Sequence, residues 1–303
     1  MKRWWIYQKE RFPIFAHGPL IAAFSACAVA FSSMLRDAEP PSWSHYLTAF
    51  VVCFLMFLQL RIADEFKDHK EDSRWRPYRP VPRGLVKLSE LRILFILAAF
   101  IQLGVSLLLD PLLIIVLAIA WTYLALMSVE FFCRDWLKGK PVIYLISHMG
   151  IMPLVDWFGT ACEWLPRASE NTSGLGSPEG LGWFLTASFC NGVVIELGRK
   201  LRQPKAEEEG VETYSALWGK RSAAGAWLFA MAATWICAVF AGLRIGFALP
   251  LGVALGLLLV IAILLALRYA RRNLKGKHLE GLTAIWTLVL YLMLGLIPLY
   301  LAS

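Results

Sequence analysis

The sequence carries little charge for its length. Asp, Glu, Lys and Arg make up 17% of its 303 residues, whereas a soluble domain carries about 25%. Hydrophobic residues account for 58%, which is more than a globule of this size can bury. The shortage of charge therefore excludes an ordinary soluble domain and indicates a chain that lies in a lipid bilayer.

Thiol-based sites are also missing. The six cysteines lie singly and no CxxC pair occurs, so neither a disulfide framework nor a zinc site is indicated. No low-complexity tract or short repeat is visible. The net charge of +8 is explained by membrane topology and contact with anionic membrane lipids, and it does not argue for nucleic acid.

Apolar runs recur along the whole chain, each near the ~20 residues that a transmembrane helix needs. The sequence therefore predicts an all-α fold, a polytopic membrane bundle of nine transmembrane helices in a single domain over residues 1–303. The predicted spans are 14–35, 43–62, 90–109, 112–133, 142–163, 181–199, 222–243, 246–267 and 281–302.

Basic residues alternate with these spans. With the N-terminus in the cytoplasm, all of the 30 Lys and Arg fall on the cytoplasmic side except Arg36, Arg167 and Arg244. Positive charge marks the cytoplasmic side of membrane proteins. We therefore expect a multi-pass protein of the plasma membrane, or of the inner membrane in a bacterium, with the C-terminus outside.

Three aspartates follow the second span at four-residue intervals: Asp64, Asp68 and Asp72. On a helix this spacing places them within about 80° of one another, so they form a ladder of carboxylates. At the mouth of a membrane helix such charges repel unless a cation holds them, which disfavours a merely solvated surface. Mg²⁺ usually sits between one or two carboxylates and substrate phosphates, so we predict a metal–phosphate site.

A second acidic segment follows the sixth span. Glu196 lies in the apolar end of that span, where a carboxylate is costly and is by default a functional candidate. Lys200 is one turn further on and can pair with it. Residues 207–209 are three glutamates, a pattern that is usually a solvated loop. Two facing acidic patches can hold Mg²⁺ around one diphosphate, and we assign Glu196, Glu207 and Glu208 to the second patch.

Arginines accompany both acidic segments. Residues 74–85 contain four arginines, three prolines and a glycine, which end any helix and stiffen the loop. Guanidinium groups fit phosphate oxygens, although contact with lipid headgroups is an alternative. For Arg79, the position before Pro80 favours either a functional role or a structural bond with an aspartate. The predicted diphosphate-binding residues are Arg79, Lys200, Arg202, Arg134 and Lys140.

Two polar residues lie inside the fifth span. His148 is interpreted as a packed, hydrogen-bonded histidine rather than a base. Asp156 either touches an acceptor or a water-filled pocket, or lies at the membrane interface, and the sequence leaves both interpretations open.

The acidic motifs resemble those of UbiA-type membrane prenyltransferases. That family's first motif, N-D-x-x-D-x-x-x-D, is similar to Asp64-Glu65-x-x-Asp68-x-x-x-Asp72, and its R-P-x-P-x-G matches residues 79–84. Residues 210–219 resemble the segment that closes the second motif. Two departures are visible: Asp-Glu replaces Asn-Asp, and glutamates replace the D-x-x-x-D of the second motif.

The resemblance implies Mg²⁺-dependent transfer of a prenyl group from a polyisoprenyl diphosphate to a small aromatic or lipophilic acceptor. In that hypothesis the catalytic residues are Asp64, Asp68, Asp72 and Glu196, and all four bind metal. One alternative is a terpene cyclase, which ionises the same substrate without an external acceptor. A transporter is less favoured, because it would carry paired charges deep in several spans.

Overall fold

The computed structural model describes residues 2–170, 177–271 and 274–302, without the side chains of residues 167–170 and 302. Arg272 and the side chain of Arg167, two of the charges used to predict topology, thus lie outside the described residues. All regular elements in the described part are helices, which confirms the predicted all-α class. The α-helices are α1 (Lys2–Arg11), α2 (Ile14–Leu35), α3 (Trp43–Lys67), α4 (His69–Trp75), α5 (Leu88–Leu109), α6 (Leu113–Ser128), α7 (Arg134–Lys138), α8 (Pro141–Met149), α9 (Ile151–Glu170), α10 (Leu181–Arg199), α11 (Tyr214–Arg244), α12 (Ala248–Arg271), α13 (Lys277–Leu294) and α14 (Leu296–Ala302).

Eight segments of the described chain are long and apolar enough to cross a membrane: α2, α3, α5, α8 with most of α9, α10, α11, α12, and α13 with α14. The predicted count of nine is close but not exact. The predicted fourth span, 112–133, is the 16-residue helix α6. It ends early because the backbone of Glu130, Phe131 and Phe132 turns left-handed, with φ of 52°, 51° and 60°.

Burial differs strongly among the membrane-length helices. The most enclosed is α10, whereas α5 and α12 are the least enclosed. α10 packs against α9, α11 and α13. Large apolar side chains such as Phe100, Leu108 and Leu249 are exposed, as expected where a helix faces lipid. The second acidic segment therefore follows the most protected helix of the bundle.

Helix α1 is fastened to the end of the bundle that carries the acidic motifs. Its Tyr7 is buried in a small cluster with Ile62, Val81, Val86 and Leu91. Three ion pairs join α1 to later parts of the chain: Arg3 with Glu90 at 2.6 Å, Glu10 with Arg83 at 2.9 Å, and Arg11 with the buried Glu65. The N-terminal helix is thus part of the same structural unit as the first motif.

Candidate active site

The first acidic motif spans a helix junction. Helix α3 ends at Lys67 and α4 begins at His69, so Asp68 lies between them with φ of −93° and ψ of 2°. The Asp68 N–H still donates to the Asp64 carbonyl at 2.9 Å, and the Asp72 N–H donates to the Asp68 carbonyl at 2.8 Å. The three aspartates therefore keep their one-turn spacing, while the helix itself is interrupted at the middle one.

Asp64 and Asp68 have different electrostatic surroundings. Asp64 is half-buried, with Arg61 Nη1 at 3.4 Å and Lys67 Nζ at 3.9 Å. In the part of the chain that the structure describes, no Lys or Arg nitrogen forms an ion pair with Asp68. Burial raises the pKa of Asp68 and nearby carboxylates raise it further, although the charge of Lys67 opposes them. A cation bound here would relieve this concentration of negative charge.

Asp72 is buried and already holds two cations. Its Oδ1 lies 2.8 Å from Arg76 Nη2 and its Oδ2 lies 2.7 Å from Arg79 Nη1. Arg79 thus makes the structural bond that was one of its two predicted roles. One carboxylate neutralises only one of the two guanidinium groups, so this part of the loop keeps a net positive charge.

The second predicted carboxylate, Glu196, is buried near the end of α10. It accepts hydrogen bonds from Arg199 Nε at 2.5 Å and lies 3.0 Å from Lys200 Nζ, so the predicted pair with Lys200 is present. Arg199 also interacts electrostatically with Asp64. The two acidic segments therefore lie at the same end of the bundle, with Arg199 between them.

The loop glutamates have local partners. Glu207 accepts a hydrogen bond from the Thr213 hydroxyl at 2.7 Å. Glu208 accepts from the Tyr78 hydroxyl at 3.2 Å and from Arg202 Nη1 at 3.1 Å. Among the described residues, no group of three or more Asp, Glu, His or Cys side chains is arranged to hold a metal ion. The metal-binding roles of both glutamates stay predictions.

The segments that follow the two motifs contact each other. Gly210 has φ of +72°, and a Cβ atom at this position would lie 2.3 Å from the ring of Trp75. Only glycine combines that backbone conformation with such a close approach. Together with the hydrogen bond between Tyr78 and Glu208, this contact fixes the position of one loop relative to the other.

An arginine-lined pocket of about 520 Å³ lies beside this contact. Two of the predicted diphosphate-binding residues, Arg79 and Arg202, line it together. Its other lining residues are Arg11, Arg76, Arg83, Glu10, Glu208, Tyr78 and Val211. Besides the two lining glutamates, Glu65 pairs with Arg11, and Asp72 pairs with both Arg76 and Arg79. The five arginines thus face four carboxylates, which leaves one positive charge in excess, so the pocket suits an anion.

The remaining predicted diphosphate residues flank the ladder on another side. Arg134 lies 3.3 Å from Glu71, and Lys138 lies 2.6 Å from the same carboxylate. The hydrogen bond from Lys138 lowers the pKa of Glu71. Lys140 lies over the ring of Trp136 at 4.5 Å. Neither Arg134 nor Lys140 lines the arginine pocket.

The model of the UbiA prenyltransferase family matches residues 23–282. The chain belongs to the UbiA prenyltransferase family. No curated protein sequence matches it.

Two solved structures have the fold of this UbiA-family chain. A UbiA homologue from Aeropyrum pernix K1, solved in the apo state, is 14% identical with a TM-score of 0.68, covering 89% of this chain and 94% of that one. A structure described as a digeranylgeranylglyceryl phosphate synthase is 16% identical with a TM-score of 0.62, covering 99% of this chain and 100% of that one. At such identities the likeness concerns the fold.

Glu130 is a buried charge of this UbiA-family protein that sequence reasoning missed. Its carboxylate lies 3.5 Å from Lys67 Nζ, 3.2 Å from the Tyr144 hydroxyl and 3.1 Å from His148 Nε2. His148 is buried, and its Nδ1 lies 2.9 Å from the Tyr144 carbonyl, so it is packed as predicted. The sequence did contain a signal for Glu130, because this residue falls inside the predicted fourth span, and a carboxylate within a membrane span is a functional candidate.

Asp156 lies on α9, in the interior of the bundle. It is fully buried and accepts a hydrogen bond from the Tyr291 hydroxyl at 2.7 Å. Tyr291 also lies within 3.3 Å of the Ser188 hydroxyl. Complete burial disfavours the interpretation that Asp156 lies at the membrane interface.

Proposed function

We propose that this protein is a membrane prenyltransferase that transfers the prenyl group of a polyisoprenyl diphosphate to a small aromatic or lipophilic acceptor, with Mg²⁺ as cofactor. Membership of the UbiA prenyltransferase family supports the reaction class. The observation that carries the proposal is the arrangement at one end of the bundle. There, the Asp68 carboxylate, which forms no ion pair in the described part of the chain, lies in the same cap as an arginine-lined pocket, above apolar helices.

The carboxylates present fit one Mg²⁺ ion. The pKa of Asp68 is raised, and Asp68 forms no ion pair in the described part of the chain. Asp64 lies one helical turn away and is half-buried. Magnesium needs only one or two protein carboxylates when substrate phosphates supply further oxygens. When bound, the ion adds positive charge beside the leaving diphosphate. Asp72 and Glu196 each already hold two cationic side chains, so either carboxylate would have to bind the ion in addition to these partners.

The protein's own cations bind and orient the diphosphate. Arg79 and Arg202 present guanidinium groups to the arginine pocket. Glu196 holds Lys200 and Arg199 in place at the end of α10. Arg134 and Lys140 extend the positive surface beside the ladder. Fixed donors of this kind stabilise charge that develops on a leaving group better than mobile water does.

The apolar bundle accommodates the rest of the substrate. Ionisation breaks the bond between the first prenyl carbon and the diphosphate oxygen, and the electron pair leaves with the diphosphate. The allylic cation that remains must be kept from water until the acceptor attacks it. Helices with apolar side chains around the predicted site provide that exclusion, and aromatic rings can stabilise the cation.

The acceptor distinguishes the proposed activity from a terpene cyclase. One structural neighbour is described as digeranylgeranylglyceryl phosphate synthase, a name that indicates a lipid product. We accordingly favour a lipophilic acceptor, bound by a single-domain protein in the plasma or bacterial inner membrane.

The test is to incubate membranes containing the protein with labelled prenyl diphosphates of several lengths, with and without lipid extract of the host. Expected is release of diphosphate that requires Mg²⁺, together with a prenylated product that appears only when extract is present. A cyclic hydrocarbon or alcohol made without extract would favour the cyclase. If no prenyl diphosphate is consumed under any condition, the proposed function is wrong.

A further inference from the structure

A largely enclosed lysine, Lys67, links the carboxylate ladder to a second group of polar residues. Lys67 Nζ lies 3.0 Å from the Tyr144 hydroxyl, 3.5 Å from Glu130 Oε1 and 3.9 Å from Asp64 Oδ1. Only 12% of the Lys67 side chain is exposed. An ammonium so enclosed needs several oxygen partners to replace water, and three different elements supply them.

The partners of Lys67 are themselves fixed. The Tyr144 hydroxyl accepts from Lys67 and donates to Glu130 Oε1 at 3.2 Å. The ring of Tyr144 stacks on that of His148, with centroids 3.9 Å apart and an angle of 13° between planes. His148 Nε2 faces the other oxygen of Glu130 at 3.1 Å. Movement of any one member would therefore disturb the contacts of the others.

The backbone that carries Glu130 is also unusual. Glu130, Phe131 and Phe132 have consecutive positive φ angles, a conformation that costs on the order of 1–3 kcal/mol for each such residue. Strain of this kind persists only where surrounding contacts determine it, and it concentrates at functional sites. Here it turns the chain after α6 so that the Glu130 carboxylate points to Lys67.

Lys67 contacts two carboxylates at once. Its charge balances that of Glu130, whereas Asp64 already has Arg61 Nη1 at 3.4 Å. What the network adds is a fixed position for one ammonium at the edge of the ladder, next to the two carboxylates that fit a metal. Any diphosphate held at Asp64 and Asp68 would lie close to that ammonium.

We propose that Lys67 contacts the diphosphate as a further catalytic cation, and that Glu130 and Tyr144 are positioning residues that hold its ammonium beside Asp64. This inference rests on the proposed function. When the bond between the prenyl carbon and oxygen breaks, the electron pair remains on the diphosphate, and a Lys67 N–H donates a hydrogen bond to it. No proton is transferred, so Lys67 leaves the cycle as it entered.

The first test compares single variants. Lys67→Met is expected to lower diphosphate release by on the order of 10², the scale of losing one preorganised donor. Lys70→Met, on the exposed side of α4, is the matched control and should keep wild-type turnover. Glu130→Gln and Tyr144→Phe keep side-chain size, so they should fold and lower kcat with little change in KM. Wild-type turnover in Lys67→Met would overturn the proposal.

A double-variant cycle separates positioning from a general structural role. If Glu130 acts through Lys67, then Lys67→Met combined with Glu130→Gln should be no slower than Lys67→Met alone. Losses that multiply would overturn the positioning role. Melting temperatures of all variants show whether any loss of activity merely follows loss of folded protein.

Binding of inorganic diphosphate distinguishes this inference from the proposed function. Magnesium diphosphate should raise the melting temperature of the wild type and raise it less in Lys67→Met. If the wild type turns over prenyl diphosphates but Lys67→Met is stabilised equally and is equally active, only the inference fails. If the wild type is stabilised by magnesium diphosphate yet consumes no prenyl diphosphate, the proposed function fails, and a weaker stabilisation of Lys67→Met still supports the lysine contact.

Discussion

Asp68 and Asp72 occupy equivalent places in the acidic motif, yet their replacement by asparagine should affect the protein in opposite ways. Asp72 is buried and pairs with Arg76 and Arg79, whose side chains are only 13% and 21% exposed. Removing one partner of a buried ion pair costs roughly 3–5 kcal/mol. Since water reaches both arginines, we expect about 3 kcal/mol for Asp72→Asn, or a melting temperature lower by roughly 5–10 °C.

Asp68→Asn should not lower the melting temperature. Burial and neighbouring carboxylates raise the pKa of Asp68, against the opposing charge of Lys67. Its ionised form is therefore less favourable in the folded protein than in the unfolded chain. This penalty is absent below the usual pKa of an aspartate and grows as the pH rises through the raised pKa. Without Mg²⁺ at neutral pH, Asp68→Asn is expected to be as stable as the wild type or more so.

Activity should not follow stability in this pair. Asp68→Asn removes a proposed metal ligand and should lower diphosphate release by on the order of 10² or more, although the protein remains folded. Thermal melts in detergent and diphosphate release would be measured on the same preparations, with Glu280→Gln at an exposed position as the control for charge removal. Equal loss of melting temperature in both aspartate variants, or full activity in Asp68→Asn, would refute this division of roles.

Glu196→Gln is expected to lower diphosphate release by on the order of 10², because Glu196 holds both Arg199 and Lys200. Glu207→Gln and Glu208→Gln should lower diphosphate release less. If Glu196→Gln keeps wild-type activity while one of the two loop variants is inactive, the second acidic site lies in the loop. Gly210→Ala should lower both turnover and melting temperature, since Trp75 and a φ of +72° leave no place for a Cβ atom. The control is Gly225→Ala, which should change neither, because no atom lies within 4 Å of the added Cβ. Chelation of Mg²⁺ should stop diphosphate release and leave the helical signal in circular dichroism intact; unchanged release would exclude the metal. Cysteine labelling should find the N-terminus in the cytoplasm and the chain near Ser303, just beyond the described residues, on the other side; both on one side would contradict the predicted topology.

Local sequence patterns predicted those parts of the site that depend on neighbours in the chain. The pair of Glu196 with Lys200 follows from a spacing of one helical turn, and it is present. Arg79 lies seven residues from Asp72, close enough for their bond to be considered in advance. The helical class follows from composition in the same way, since a backbone in lipid must satisfy its own hydrogen bonds.

Contacts between distant parts of the chain could not be predicted in this way. Lys67 meets Tyr144 across 77 residues, and no local period records such a contact. The left-handed turn at Glu130 contains no glycine, so the usual signal for a positive φ is missing and α6 ends before the apolar run does. The sequence likewise treats three aspartates as equals, whereas their ion pairs make Asp72 different from Asp68.

The attachment of α1 has a consequence for biosynthesis. Its partners Glu65, Arg83 and Glu90 are synthesised 54, 73 and 87 residues after the α1 residues that they contact. The ribosome thus makes α1 first, but the helix can complete its ion pairs only when the chain has been translated beyond residue 90. Until then the basic residues of α1 are available to anionic lipid, at the cytoplasmic surface if the predicted topology holds. Docking of the N-terminus can therefore be completed only after α2, α3 and the first residues of α5 have been synthesised.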